Sequence, residues 1–300
     1  MKKKLEKKRN SYASSSYEEK EKFGYGPNIF VRIGRVVARC IIAILRLNSN
    51  SRLIVEIQQM LDPSIRIRLP GKDHLIFCTG HGRLLWRAKT LFTEEKLIIR
   101  WIDLFKNDDI FFDIGANIGG YSLYAAKTKG VKVYAFEPEI NNLQTLYANI
   151  YKNGLNDLCI PVPLASDNET KIKPFFIREF SKGGAFNTIG RKSSFSIEEK
   201  DMFVQDTLCM KVDDMIKQFG LQYPTKVKID VDANELQVIE GMTKTLDYVK
   251  EIYIELLLSF DEHKKVKDIL ERRGFKVADS EKARAPKQYE AENYIFRRIK

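Results

Sequence analysis

Phe111-Phe112-Asp113-Ile114-Gly115-Ala116-Asn117-Ile118-Gly119-Gly120 sets the architecture of this 300-residue chain. It opens as the apolar run Ile110–Ile114, the length of a strand buried on both faces. Glycines follow, where a backbone turns tightly and approaches a ligand without a Cβ in the way. Tyr121–Lys129 then takes helical spacing, and such a helix presents free N–H groups at its start. The stretch is therefore strand, glycine loop, helix.

Outward from it the same alternation continues. Val131–Phe136 reads as a second strand, Asn141–Lys152 as a helix closed by Asn153-Gly154, and Cys159–Leu164 as a third strand. Val227–Val231, Ile252–Leu256 and Tyr294–Arg297 supply further strands, with helices at Asn234–Thr245 and Asp261–Arg273. This order predicts an α/β, doubly wound, mostly parallel sheet, which binds ligands at the carboxyl ends of its strands. Residues 51–110 read as an accessory layer, with Ile65–Leu69 a strand, Pro70-Gly71 a turn, Leu75-Ile76-Phe77 the hairpin partner, and Glu94–Phe105 a helix.

The residues at the strand ends narrow the ligand. A dinucleotide loop reads G-x-G-x-x-G, whereas this one reads G-x-x-x-G-G. Asp113 at the strand end repels a pyrophosphate and attracts the ammonium and sulfonium of S-adenosylmethionine. Glu137 ends the second strand, 18 residues beyond Gly119, where an acid accepts from both ribose hydroxyls. Asp167, in Leu164-Ala165-Ser166-Asp167 after the third strand, is the candidate partner of the adenine amine, although Ser-Asp-Asn alone is only a turn. After the fourth strand come Asp230, Asp232 and Glu235. Asp232 or Asn234 is a candidate helix cap, and Glu235 suits the helix dipole. Asp230 lies within the strand end and is expected to orient the donor or to take the acceptor's proton.

These blocks, Phe112–Gly119, Ala135–Pro138, Leu164–Asp167 and Lys228–Asp232, with Glu235 and Gly241, resemble the FkbM family of S-adenosylmethionine-dependent methyltransferases. The likeness runs from about Thr93 to the C-terminus and takes in Tyr253-Ile254-Glu255 and Gly274-Phe275. It implies a class I methyltransferase (Rossmann-like) fold with a seven-stranded sheet and an N-terminal extension. It implies O-methylation of a hydroxyl on a sugar, glycan or natural product, with S-adenosyl-L-methionine as donor. Gly115, Asn117 and Gly119 join Asp113, Glu137, Asp167 and Asp230 as expected donor-binding residues. Asp230 is the first candidate base, with Glu255 and Glu235 behind it. The family usually places glycine where this chain has Ala233, and an alanine is strained there if φ is positive. The insertion at about Lys171–Lys211, with the Gly-rich stretch Ser181–Gly190, is a candidate acceptor loop or a simple surface excursion.

Charge separates the N-terminus from the rest. Thirteen of the 51 Lys and Arg fall in residues 1–53 against four acids, so most of the +11 net charge lies there. Residues 1–27 read as a mobile basic tail, 28–50 as a basic amphipathic helix, 51–105 as the accessory layer and 106–300 as the methyltransferase domain. Arg32, Arg35, Arg39 and Arg46 share one helical face, which fits peripheral contact of residues 28–47 with an anionic membrane, packing on the domain, or a homodimer. The expected location is cytoplasmic, peripherally at the inner membrane face. Cys40, Cys78, Cys159 and Cys209 are far apart and three His are scattered, so neither a disulfide framework nor a metal site is expected. The basic N-terminus keeps a nucleic-acid methyltransferase as an alternative, but Asp230-Val231-Asp232-Ala233 stands where base-N-methylating enzymes often carry Asn/Asp-Pro-Pro-aromatic. A non-catalytic binding module is the third reading, prompted by Ala233.

Overall fold

The computed structural model describes residues 29–44, 52–53, 56–57, 61, 63–71, 73–178, 180–190, 202–258, 261–283 and 290–299. The tail read at 1–27 lies outside them. The chain divides into two units, Met1–Ser64 and Ile65–Lys300. In the first, α1 spans Ile29–Ile44 and exposes Ile33, Val36, Val37 and Ile41. No helix among the described residues is long and apolar enough to cross a membrane.

In the second unit, β1 (Ser64–Arg68) and β2 (His74–Cys78) form the expected hairpin sheet. Helices α2 (Gly82–Thr90) and α3 (Lys96–Asp103) follow, then β3 (Ile110–Ile114), α4 (Gly120–Lys129), β4 (Lys132–Phe136), α5 (Ile140–Asn153) and β5 (Cys159–Val162). After the strands β6 (Ala165–Ser166), β7 (Lys171–Ile177), β8 (Thr188–Ile189) and β9 (Phe203–Met210) come α6 (Val212–Phe219), β10 (Lys226–Ile229), α7 (Glu235–Glu240), β11 (Glu251–Leu257), α8 (Glu262–Arg272), β12 (Phe275–Lys282) and β13 (Ala291–Arg298).

The main sheet has seven strands in the order β12-β13-β11-β10-β3-β4-β5. β11, β10, β3, β4 and β5 run parallel, and β13 is antiparallel to both β11 and β12. The alternation of β3 explains the layering. Phe111 joins a core cluster with Leu97, Trp101, Leu123 and Leu146, while Phe112 and Ile114 join one with Met215, Val238 and Leu270. α3, α4 and α5 thus cover one face, and α6, α7 and α8 the other. Each fully buried Leu or Phe contributes about 1.5–3 kcal/mol, so losing either layer would unfold the sheet. Asn149 and Asn153 of α5 accept from the backbone N–H groups of Cys78 and Ile76 at 2.8 Å, which ties the β1–β2 hairpin to this body.

The insertion at about Lys171–Lys211 carries strands of its own. Its β7, β8 and β9 join β6, which precedes it, in a four-stranded sheet of order β6-β9-β7-β8, in which β7 and β9 pair antiparallel over Lys171–Ile177. Pro174 within β7, and a β9 exposed from Phe203 to Asp206, hide the strand pattern.

Candidate functional site

The chain leaves β3 toward β4 and β5 on one side and returns through β10 and β11 on the other. The crevice between the carboxyl ends of β3 and β10 is therefore a topological switch point. Gly115 has φ +86°, and a Cβ there would stand 1.9 Å from the carbonyl oxygen of Asp230, so only glycine lets the two loops pass. Asn117, at φ +51°, donates its backbone N–H to Glu137 Oε2 at 2.8 Å. Glu137 Oε1 accepts from the Glu139 N–H at 2.9 Å. Burial pushes the Glu137 carboxyl up to about 7, against the pull of those two backbone bonds.

Gly115, Asn117, Glu137 and Asp230 line one open cleft. Ile114, Phe136, Leu164 and Phe175 give it apolar walls, and Asn117, Glu137, Asn142, Ser166, Asp230 and Asp232 give it polar ones. Two buried atoms of this lining, Asn117 Oδ1 and Ser166 Oγ, find no hydrogen-bond partner among the described residues. An apolar slot, an acid at the β4 end, a second acid at the β10 end and unmet polar atoms fit an adenosyl ligand with a cationic tail.

Lys228 organises the floor. Its Nζ lies 3.2 Å from Asp113 Oδ1 and 3.3 Å from Asp230 Oδ2, and donates to the Gly115 carbonyl at 3.2 Å. Burial weakens the ammonium, but Asp113, Asp230 and Glu95 outweigh it and hold Lys228 above its ordinary pKa. Of the expected base candidates, only Asp230 lines the cleft. Glu235 faces a smaller hollow beside His263, and its Oε1 accepts from the Ala233 N–H at 3.1 Å. Burial, then the bonds it accepts and the charges of Asp232 and Asp230, leave Glu235 at about 7. Glu255 lies opposite Asn293 on β13 and lines neither hollow. Burial, then Asp230, Glu95, Asp232 and Glu235, push its carboxyl well up.

Three of the expected donor-binding residues, Asp113, Gly119 and Asp167, do not line this cleft. Gly119 has φ +85°, and a Cβ there would stand 2.4 Å from Leu146 Cδ1, so it lets the loop pack against α5. Asp113 does not reach the cleft: it accepts from Ser122 Oγ at 2.5 Å and faces Lys228, so its charge orders the floor. Asp167 does not reach it either. Its carboxylate takes Lys173 Nζ at 2.8 Å and the Asn168 N–H at 2.6 Å, and Ser166 stands at the cleft in its place. A lysine six residues on, carried back by the β7 turn, was the competing partner.

The Gly-rich stretch of the insertion roofs the cleft. Gly184 O accepts from Asn117 Nδ2 at 2.7 Å and Asn142 Nδ2 at 3.1 Å. Asp232 takes the Phe186 N–H at 2.6 Å, and Asn234 Oδ1 takes the Ile189 N–H. Asn234 holds the N-cap position of α7 but makes no side-chain cap bond, and its side chain serves the roof instead. Burial and then Asp230 raise Asp232 to about 7. Phe186, Asp232 and Ala233 all have positive φ (62°, 53° and 78°), so backbone strain gathers where roof and strand end meet.

Sequence reasoning missed Arg87, Glu95, Tyr121 and Asn142. Glu95 precedes α3 but makes no cap bond there; it accepts from Tyr121 Oη at 2.9 Å, and burial and then Asp230 push it up to about 7. An acid ahead of a helix suggests a cap, and only the tertiary fold shows otherwise.

The model of the methyltransferase FkbM domain family matches residues 113–277. The chain is 24% identical over 177 residues to the hexuronic acid methyltransferase AglP of Haloferax volcanii, covering 59% of this chain and 68% of that protein. It is 26% identical over 204 residues to the 31-O-demethyl-FK506 methyltransferase FkbM of Streptomyces tacrolimicus, covering 61% and 77%. Among solved structures, methyltransferase FkbM from Methylobacillus flagellatus KT aligns with TM-score 0.43 and 16% identity over 69% of this chain and 47% of that one.

Proposed function

This chain belongs to the FkbM family of S-adenosylmethionine-dependent methyltransferases, and we propose that it methylates a hydroxyl on a sugar, glycan or natural-product acceptor. The observation that carries the reading is Asp230: it is the base candidate that opens on the cleft, at the switch point, beside the glycine loop. S-adenosylmethionine supplies, when bound, a methyl group made electrophilic by its sulfonium. Glu137 accepts from the ribose hydroxyls, and Phe136, Leu164 and Phe175 take the adenine, with Ser166 Oγ at its polar edge. Lys228 fixes the Asp230 carboxylate, which accepts the proton of the acceptor hydroxyl; such a base contributes about 10²–10⁴-fold. Glu255 and Glu235 rank behind Asp230 as base candidates, because neither lines the cleft. The roof at residues 183–189 excludes water. A sugar or natural-product hydroxyl is favoured because AglP is named a hexuronic acid methyltransferase and FkbM a 31-O-demethyl-FK506 methyltransferase.

The test is release of S-adenosylhomocysteine from the full chain with a panel of sugar and polyol acceptors. Turnover that depends on an acceptor hydroxyl supports the reading. Failure to bind S-adenosylmethionine in calorimetry would sink it.

For residues 28–47 we propose peripheral contact with anionic lipid at the inner membrane face, from the basic residues of that segment and the exposed apolar side chains of α1.

A further inference from the structure

The segment before the family match contributes one charged side chain to the cleft wall. Arg87 sits on α2, beside the buried Leu84 and Ala88 that seat this helix in the core. Its Nε donates to the carbonyl of Gly183 at 2.9 Å. Among the described residues that is the one hydrogen bond the side chain makes, and no carboxylate stands within ion-pair distance of it. Its terminal nitrogens are left for another acceptor. Arg87 is also the one Lys, Arg or His that lines the cleft among the described residues. Burial and then Arg83 weaken the guanidinium, while Asp230 and Asp232 support it. A half-buried guanidinium with no carboxylate in direct ion-pair contact carries a desolvation cost that a bound anion offsets.

We propose that Arg87 is the anion-recognition residue of the cleft and takes a carboxylate on its terminal nitrogens, whose planar fork matches that group. The proposal rests on the methyltransferase reading. Two sources supply such a carboxylate at this place: the amino-acid end of the donor, or an acidic acceptor. Asp230, on the same cleft, offers the opposite charge, so a zwitterionic or hydroxy-acid group meets both signs at once. A mere tether for Gly183 would instead weaken every ligand alike.

Calorimetry on the full chain separates these outcomes. S-adenosylhomocysteine is compared with its decarboxylated analogue, and glucuronate with glucose on the chain saturated with S-adenosylhomocysteine. If the carboxylate is the donor's, the wild-type chain binds the analogue at least about tenfold more weakly, and Arg87→Met closes that gap while barely changing the analogue's own affinity. If it is the acceptor's, the donor pair shows no gap, glucuronate binds where glucose does not, and Arg87→Met removes the preference. Arg87→Lys, which keeps charge without the fork, should lose most of the same preference and stands in if the methionine variant does not fold. A wild-type chain indifferent to the carboxylate in both arms, or a preference that survives either substitution, overturns the proposal. Should neither S-adenosylhomocysteine nor its analogue bind, the methyltransferase reading has failed instead.

Discussion

Lys228, almost wholly buried, holds its ammonium 3.3 Å from the Oδ2 of Asp230, which opens on the cleft. The same ammonium faces Asp113 at 3.2 Å, so one cation serves a structural acid and a cleft acid together. Removing it leaves two carboxylates without compensation. Lys228→Met should cost about 3–5 kcal/mol of stability, read as a lower urea midpoint. Asp230→Asn removes the proton acceptor but not the floor. It should keep donor affinity within a few-fold and lose about 10²–10⁴ in turnover. Lost donor affinity with little effect on the chemical step would make Asp230 a donor ligand and not the base.

Ala233 has φ +78°, with its methyl group packed near Leu257, Ala291 and Phe186. A left-handed conformation costs an L-residue about 1–2 kcal/mol, and glycine returns about 0.5–1 kcal/mol of that as unfolded-state entropy. Ala233→Gly should therefore be neutral to about 1 kcal/mol stabilising. Ala233→Val, with a branched Cβ in the same region, should destabilise by more than about 1 kcal/mol. Thermal melts of the two variants check this, and an Ala233→Gly chain that melts well below the parent contradicts the strain account.

The parts of the site legible in the sequence are those that local rules dictate. Gly115 and Glu137 follow from a strand ending in a turn, and the parallel sheet follows from alternating strands and helices. What escaped depends on long-range closure. Arg87 comes from a stretch that read only as an accessory layer, and the tertiary fold alone brings it to the cleft wall, as it brings Glu95 to Tyr121. Asp113 and Asp167 were legible as acids at strand ends, but a strand gives no warning that Lys228 or Lys173 will fold back onto them. Ala233 was readable as a departure from glycine, and its strain needed the backbone to be seen.

Glu137 makes donor binding depend on pH in a defined direction. Its carboxyl stands at about 7 in the folded chain against an ordinary 4.5. A raised carboxyl adds stability that is complete below about 4.5 and is lost as pH rises through about 7. Asp232 and Glu235, also at about 7, act in the same sense. The chain without donor should thus become less stable between pH 5.5 and 7.5, by up to about 1.4 kcal/mol per unit for each group. Ribose hydroxyls donate to the ionised form, so donor affinity should rise over the same interval and binding should release a proton. Calorimetry in buffers of different ionisation enthalpy reads that proton. Glu137→Gln should abolish the release and weaken binding, and unchanged affinity would refute the ribose role.

At the opposite end of the sheet, Glu251 gathers Lys226 Nζ at 2.6 Å, Arg297 Nε at 2.6 Å and Trp101 Nε1 at 2.8 Å. Burial raises its carboxyl, but Lys226 and Arg297 outweigh that and hold it below the usual value. Its contribution is therefore present above about 4.5 and fades as pH falls through the lowered pKa. Glu251→Ala should cost about 3–5 kcal/mol while turnover per folded molecule stays unchanged, because the network lies at the strand starts, away from the cleft. A loss of turnover in fully folded protein would tie this network to catalysis.

The exposed Ile33, Val36, Val37 and Ile41 of α1, with Arg39 in the same helix and no acid in its sequence, frame the last expectation. Basic residues near an anionic surface contribute about 1 kcal/mol each, screened within a Debye length of ~10 Å at 0.1 M salt. The full chain should co-sediment with phosphatidylserine-containing vesicles at low salt, more weakly with phosphatidylcholine alone, and lose most of the difference at 0.5 M salt. Ile33→Glu with Val37→Glu should remove binding even at low salt, since insertion needs the apolar side chains as well as the charge. Co-sedimentation that is absent at low salt would leave packing on the domain or a second copy of the chain as the role of this helix, and a concentration-dependent mass in solution would select the latter.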